Sequence, residues 1–96
     1  IKDLINGSLL VLEKGESMRP YNVGYGSTIT IGEILNTICD VTDKKLKINW
    51  DNSKPTTIPF RKVSTDRISK ELGFQPIYSF KEGIEETIKW YLENEE

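Results

Sequence analysis

Ninety-six residues with a net charge of −2, 36% of them hydrophobic and 29% charged, have the composition of a single soluble globular domain. A chain this short is expected to bury roughly 60 to 70% of its unfolded surface, enough for one modest core but not for two lobes with a cleft between them. There is no histidine, and Cys39 stands alone, which excludes histidine-based nucleophile systems, the usual zinc ligand sets and an internal disulfide, and points to a reducing cytoplasm. No apolar run approaches the length of a membrane span, so no membrane partner is expected. The opening Ile1-Lys2-Asp3-Leu4-Ile5 enters apolar patterning with neither cap nor leader. It reads as one domain, residues 1–96, cut from a larger unit.

Ile1, Leu4, Ile5, Leu9 and Leu12 share one helical face over residues 1–15, and Gly15 supplies a stop. The competing signal, an Asn6-Gly7 hairpin turn, lacks alternating residues on either side. After Pro20, Tyr21 to Gly24 reads as a short strand. Thr30-Ile31-Gly32-Glu33 fits a capping box that opens a second helix, with Ile31, Ile34, Leu35 and Ile38 as its apolar stripe and an end near Asp43. Leu46, Ile48 and Trp50 alternate with polar residues, the pattern of a second strand. Residues 51–63 carry Pro55 and Pro59 among Asn52, Ser53, Thr56 and Thr57, a long loop and a functional candidate for that reason. Asp66 is placed to cap a short helix bearing Ile68 and Leu72, closed by Gly73 and Pro76. Ser79 and Glu82 form another capping box, opening a last helix with Phe80, Ile84, Ile88, Tyr91 and Leu92 on one face and a solvated acidic tail at 93–96. Strand, helix, strand within about thirty residues is a right-handed crossover, so the expected fold class is α/β: a small parallel sheet with about four helices.

Three constellations bear on function. Gly24-Tyr25-Gly26, with Asp51 after the next strand, is half of a dinucleotide fingerprint, but position 29 is Ile and the second helix begins at its own capping box, so a plain glycine turn fits better. Residues 44–70 carry eight basic side chains (Lys44, Lys45, Lys47, Lys54, Arg61, Lys62, Arg67 and Lys70) against Asp51 and Asp66. Lys54 and Arg61 lie near Trp50 and Phe60, and cations beside aromatics suit a nucleotide diphosphate or single-stranded nucleic acid. The acidic net charge makes nucleic acid the weaker option, and a solvated basic face accounts for the same residues equally well. Cys39, near an apolar stripe, reads as a small buried thiol. Trp90 and Tyr91 read as docking residues for a core or a neighbouring domain.

With these segments in place, the chain resembles the carboxy-terminal substrate lobe of the extended short-chain dehydrogenase/reductases that act on nucleotide sugars, the NAD-dependent epimerases and dehydratases. Ile1-Lys2-Asp3-Leu4 is similar to the end of the family's hydrophobic-x-Asp-Leu turn, Tyr21-Asn22-Val23-Gly24 to its Tyr-Asn-Val-Gly strand, and Ile31 with Glu33-Ile34 to the helix behind it. Glu71-Leu72-Gly73-Phe74-x-Pro76 resembles the Glu-Leu-Gly-Trp-x-Pro ending, and Glu82-Gly83-Ile84, Thr87 and Trp90-Tyr91 resemble the closing helix. Ser53-Lys54-Pro55 and Trp90-Tyr91-Leu92-Glu93-Asn94 lean toward the branch resembling GDP-fucose synthase. Phe60, Ser64 and Asp66 depart from the pattern, in the stretch that fixes the register of Arg61.

The resemblance implies that Lys54, with Arg61 as a second basic site, contacts the diphosphate of a nucleotide sugar. It implies a parent enzyme, an isomerase or oxidoreductase of the cytoplasm, whose amino-terminal Rossmann lobe binds NAD(P) and carries the Tyr-x-x-x-Lys catalytic pair. No tyrosine here has a lysine four residues on, so this chain is expected to hold no catalytic, cofactor-binding or metal-binding residue and to be inactive alone. The alternative is a free-standing interaction module whose basic loop binds an acidic partner or nucleic acid.

Overall fold

The computed structural model describes residues 1–56 and 60–95. Helix α1 spans Lys2–Lys14, α2 Ile31–Thr42, α3 Asp66–Leu72 and α4 Phe80–Asn94. α1 packs against α3, and α2 against α4.

Capping chemistry sets the helix boundaries. Thr30 Oγ1 accepts from the Glu33 N–H at 3.1 Å while the Glu33 carboxylate accepts from the Thr30 N–H at 2.8 Å. Ser79 and Glu82 make the same reciprocal pair at 3.1 and 3.2 Å, satisfying donors that a helix start leaves without partners. α3 starts differently from expectation. Asp66 is its first helical residue, Thr65 takes the cap position without a side-chain bond, and the Asp66 N–H meets only the Ser64 hydroxyl at 3.5 Å. A carboxylate in the first turn still complements the helix dipole.

The far end of α3 builds the core. Gly73 adopts a left-handed conformation, φ 72°, which glycine takes without a Cβ penalty. The chain turns back there, and the Phe74 N–H reaches the Ile68 carbonyl at 3.3 Å. Among the described residues, Ile68, 0% exposed, and Phe74, 7% exposed, are the buried hydrophobic ones. Gly7, in the middle of α1, is buried beside them: a Cβ there would stand 2.5 Å from Val23 Cγ1 and 3.2 Å from Phe74 Cε2. Close approach of these side chains explains a helix-weakening residue at that position, and the Asn6-Gly7 pair forms no turn.

The expected parallel sheet is absent among the described residues, which hold four helices and no strand. Side-chain bonds tie segment 20–24 to residues 64–67 instead. Arg67 Nη1 donates to the Pro20 carbonyl at 2.9 Å and Asn22 Nδ2 to the Ser64 carbonyl at 3.2 Å. On the other segment, Leu46 and Trp50 are exposed, so alternation there covers no apolar face. Parallel strands persist where helices cover both faces of a sheet, and here the helices pack on each other. Thr57, Ile58 and Pro59 of the long loop, and Glu96 of the acidic tail, lie outside the described residues.

The core is thinner than the sequence suggests. The chain exposes 8358 Å², whereas a folded chain of 11.0 kDa is expected to expose roughly 5,600 Å². Its radius of gyration, 16.7 Å, exceeds the roughly 12.5 Å of a single compact domain this long. The stripe predicted to be buried on α1 is open: Leu4, Ile5, Leu9 and Leu12 are all exposed.

Candidate functional site

All eight basic side chains of residues 44–70 are exposed. Lys54 follows a local turn in which Asp51 Oδ1 accepts both the Ser53 N–H at 3.0 Å and the Ser53 hydroxyl at 2.5 Å. These two bonds hold the Asp51 carboxyl below its usual range, and they give that residue a turn-forming role in place of a ribose contact. Arg61 stands on the other side of the loop beside exposed Phe60. Neither Lys54 nor Arg61 forms an ion pair among the described residues, and neither lines the cavities of about 810 and 280 Å³ described below.

Arg67, by contrast, is engaged in the fold. Besides its bond to Pro20 it stands 4.0 Å from Glu71, whose carboxylate receives Arg19 Nε at 2.8 Å and Nη2 at 2.5 Å in a two-pronged pair. The Arg19 hydrogen bond lowers the Glu71 pKa and raises that of Arg19. A cation already clasped in this way is a poor candidate for an incoming diphosphate. The neighbouring Lys62 lines a cavity of about 280 Å³ with Gly26, Ser64, Thr65 and Asp66. Lys62 was visible in the sequence only as one charge of the basic run.

A larger opening, about 810 Å³, lies between the first turn of α1 and α4. Tyr25, Tyr78, Phe80, Ile84 and Trp90 supply its apolar and aromatic wall. Asp3 fixes one rim, accepting the Ile77 N–H at 2.9 Å and the Tyr78 N–H at 3.1 Å. Lys2 Nζ is 2.9 Å from Glu86 and 5.4 Å from the centre of the Tyr78 ring. Its pKa is raised, chiefly by the hydrogen bond it donates to Glu86. Trp90, 64% exposed, faces this opening and not the core. Residues separated by most of the chain form the groove, so no local motif announced it.

Gly24-Tyr25-Gly26 does not serve a dinucleotide. The start of α2 beyond it is closed by the Thr30 and Glu33 side chains, and a carboxylate there opposes a pyrophosphate. The residues present do not fit NAD(P). Cys39 is partly covered and free. No helix among the described residues is long and apolar enough to cross a membrane.

No family model matches the chain. Individual proteins do. It is 34% identical over 94 residues to "Probable GDP-L-fucose synthase 1" of Oryza sativa subsp. japonica and 28% identical over 94 residues to "GDP-L-fucose synthase 1" of Arabidopsis thaliana. It is also 30% identical over 106 aligned positions to the dTDP-glucose 4,6-dehydratase of Haemophilus influenzae. Each match takes in 98% of this chain. These relatives match the extended short-chain dehydrogenase/reductase family that the sequence motifs resemble. The chain spans 28%, 29% and 31% of the length of these three relatives. The Asp-Leu turn, the Glu-Leu-Gly ending and the closing helix that marked the family in the sequence are the first turn of α1, the end of α3 and α4.

Proposed function

We propose that this chain is the nucleotide-sugar-binding, carboxy-terminal lobe of a cytoplasmic NAD(P)-dependent epimerase, dehydratase or reductase, with Lys54 and Arg61 holding the diphosphate. The supporting observation is that relatives named for two different nucleotide-sugar reactions align with 98% of the chain, although it spans under a third of each. In this reading the cofactor and the catalytic tyrosine–lysine pair belong to an amino-terminal Rossmann lobe.

Binding through these two side chains is straightforward chemistry. Lysine presents a compact point charge to a phosphate oxygen, and arginine a planar fork that meets two oxygens at once. The Asp51–Ser53 turn fixes the backbone just before Lys54, so less freedom is lost when the ligand arrives.

The test is a chimera in which residues 1–96 replace the matching segment of a longer relative. It should turn over a nucleotide sugar, whereas the 96-residue chain alone should not. Lys54→Ala in the chimera should raise KM about tenfold, the effect of losing one charge-assisted hydrogen bond of ~1.5 kcal/mol. An unchanged KM in both Lys54→Ala and Arg61→Ala would refute the assignment of the site. Exposed Trp50 and Phe60 beside the cations favour one other reading, a single-strand nucleic-acid module. Tight, steeply salt-dependent oligonucleotide binding by the isolated chain would establish it instead.

A further inference from the structure

The groove between α1 and α4, about 810 Å³, is lined by neither Lys54 nor Arg61. Its charge argues against a phosphate-bearing ligand. Lys2 and Lys89 are outnumbered there by Asp3, Glu86 and Glu93, and both lysines already have partners, Lys2 with Glu86 at 2.9 Å and Lys89 with Glu93 at 4.0 Å. A nucleotide diphosphate placed among these groups would meet more carboxylate than free cation. An apolar protein surface would meet Tyr25, Phe80, Ile84 and Trp90 inside a self-neutralised rim, the arrangement of an interface with a hydrophobic centre and a polar edge.

Resting on the reading of this chain as one lobe of a longer enzyme, we propose that this groove is the seat of the remaining lobe of the same polypeptide, with Trp90 as the anchor. The size of the uncovered surface supports the assignment. The chain exposes about 2,700 Å² more than a folded protein of its mass should, several times the roughly 800 Å² that each partner contributes to a standard interface. The relatives supply an occupant of sufficient size, because about seven-tenths of their length lies outside the matched segment. A polar, well-covered lobe joined only by a flexible linker would carry no such excess.

Residue-resolved oxidative footprinting of the isolated chain and of the chimera described above provides the test. Trp90 and Tyr25 should oxidise at least fivefold more slowly in the chimera, and Trp90→Glu should restore fast oxidation of Tyr25. The same substitution should leave the helicity of the isolated chain unchanged, since the side chain is exposed there. Equal oxidation of Trp90 in the two proteins would overturn the proposal. So would protection that grows with concentration in the isolated chain, the mark of a second copy, or protection produced by adding a nucleotide sugar to the isolated chain. Turnover separates this inference from the one it rests on: an active chimera with Trp90 still open defeats only the groove assignment. An inactive chimera with Trp90 covered defeats the substrate reading and leaves the groove assignment standing.

Discussion

Truncating Ile68 and Leu9 to alanine, one at a time, separates the structure from the pattern that suggested it. Both residues sit on helices at positions the periodicity marks as buried, yet Ile68 is fully enclosed and Leu9 is 56% exposed. Ile68→Ala removes three buried carbons, worth roughly 2.4 kcal/mol in transfer at about 0.8 kcal/mol each. The cavity left between α1, α3 and Phe74 brings the expected cost to about 3 kcal/mol. A domain of this length has a stability of only about 5 kcal/mol at the low end of the usual range, so the variant should lose more than half of it. Leu9→Ala should cost under about 1 kcal/mol in the isolated chain, because alanine is also the better helix former. Urea melts followed by circular dichroism read both values, with the slope m as a check on a common unfolded state. A Leu9→Ala cost equal to that of Ile68→Ala would show that the α1 face is covered in the free chain, and the argument from uncovered surface would fail with it.

Three further outcomes follow from single contacts. Gly7→Ala should destabilise by about 1 kcal/mol by chemical denaturation: the added methyl meets stiff Val23 at 2.5 Å, and overpacking of roughly 1–3 kcal/mol outweighs a helix-propensity gain of up to about 1 kcal/mol. Asp3→Ala leaves the Ile77 and Tyr78 N–H groups without their carboxylate and should cost about 1–2 kcal/mol, with faster amide exchange at those two residues. Glu71 has its pKa lowered from 4.5 by the Arg19 hydrogen bond. Its contribution is therefore present above pH 4.5 and lost as the pH falls through the lower folded value. Arg19→Gln should reduce stability at pH 7 and show a smaller acid-induced loss than the parent; identical pH profiles would remove the pair from the account.

The helices were legible because their signals are local. Thr30 with Glu33 and Ser79 with Glu82 close their own first turns through side chains three residues apart, and Gly73 ends α3 by a conformation that its lack of a side chain permits. The strands were misread because alternation at Leu46, Ile48 and Trp50 reports a face available for burial, and pairing depends on a neighbour the pattern cannot see. The same holds for the core. The stripe on α1 is there, yet Ile68 and Phe74 are buried because a left-handed turn folds one over the other, whereas Leu4, Ile5 and Leu9 are exposed. At the candidate site, charge and family resemblance single out Lys54 and Arg61 as candidates. The groove was not, because Asp3 and Tyr78 meet across 75 positions of sequence.

These failures share one cause, and it bears on how such a chain is stabilised. A helix face that is apolar by sequence and open in the structure places part of the free energy of folding in the contact that would cover it. Covering the α1 face with Leu4 and Leu9, or the groove with Trp90, would add to the chain's stability without altering any contact inside it. Substitutions on that face should then be nearly silent in the isolated chain and costly in the chimera, whereas Ile68→Ala should be costly in both. The exposed loop bearing Lys54 should be silent in both by denaturation and show itself only in substrate binding. Three classes of residue, separated by where each registers, distinguish a core, an interface and a binding site on a chain of 96 residues.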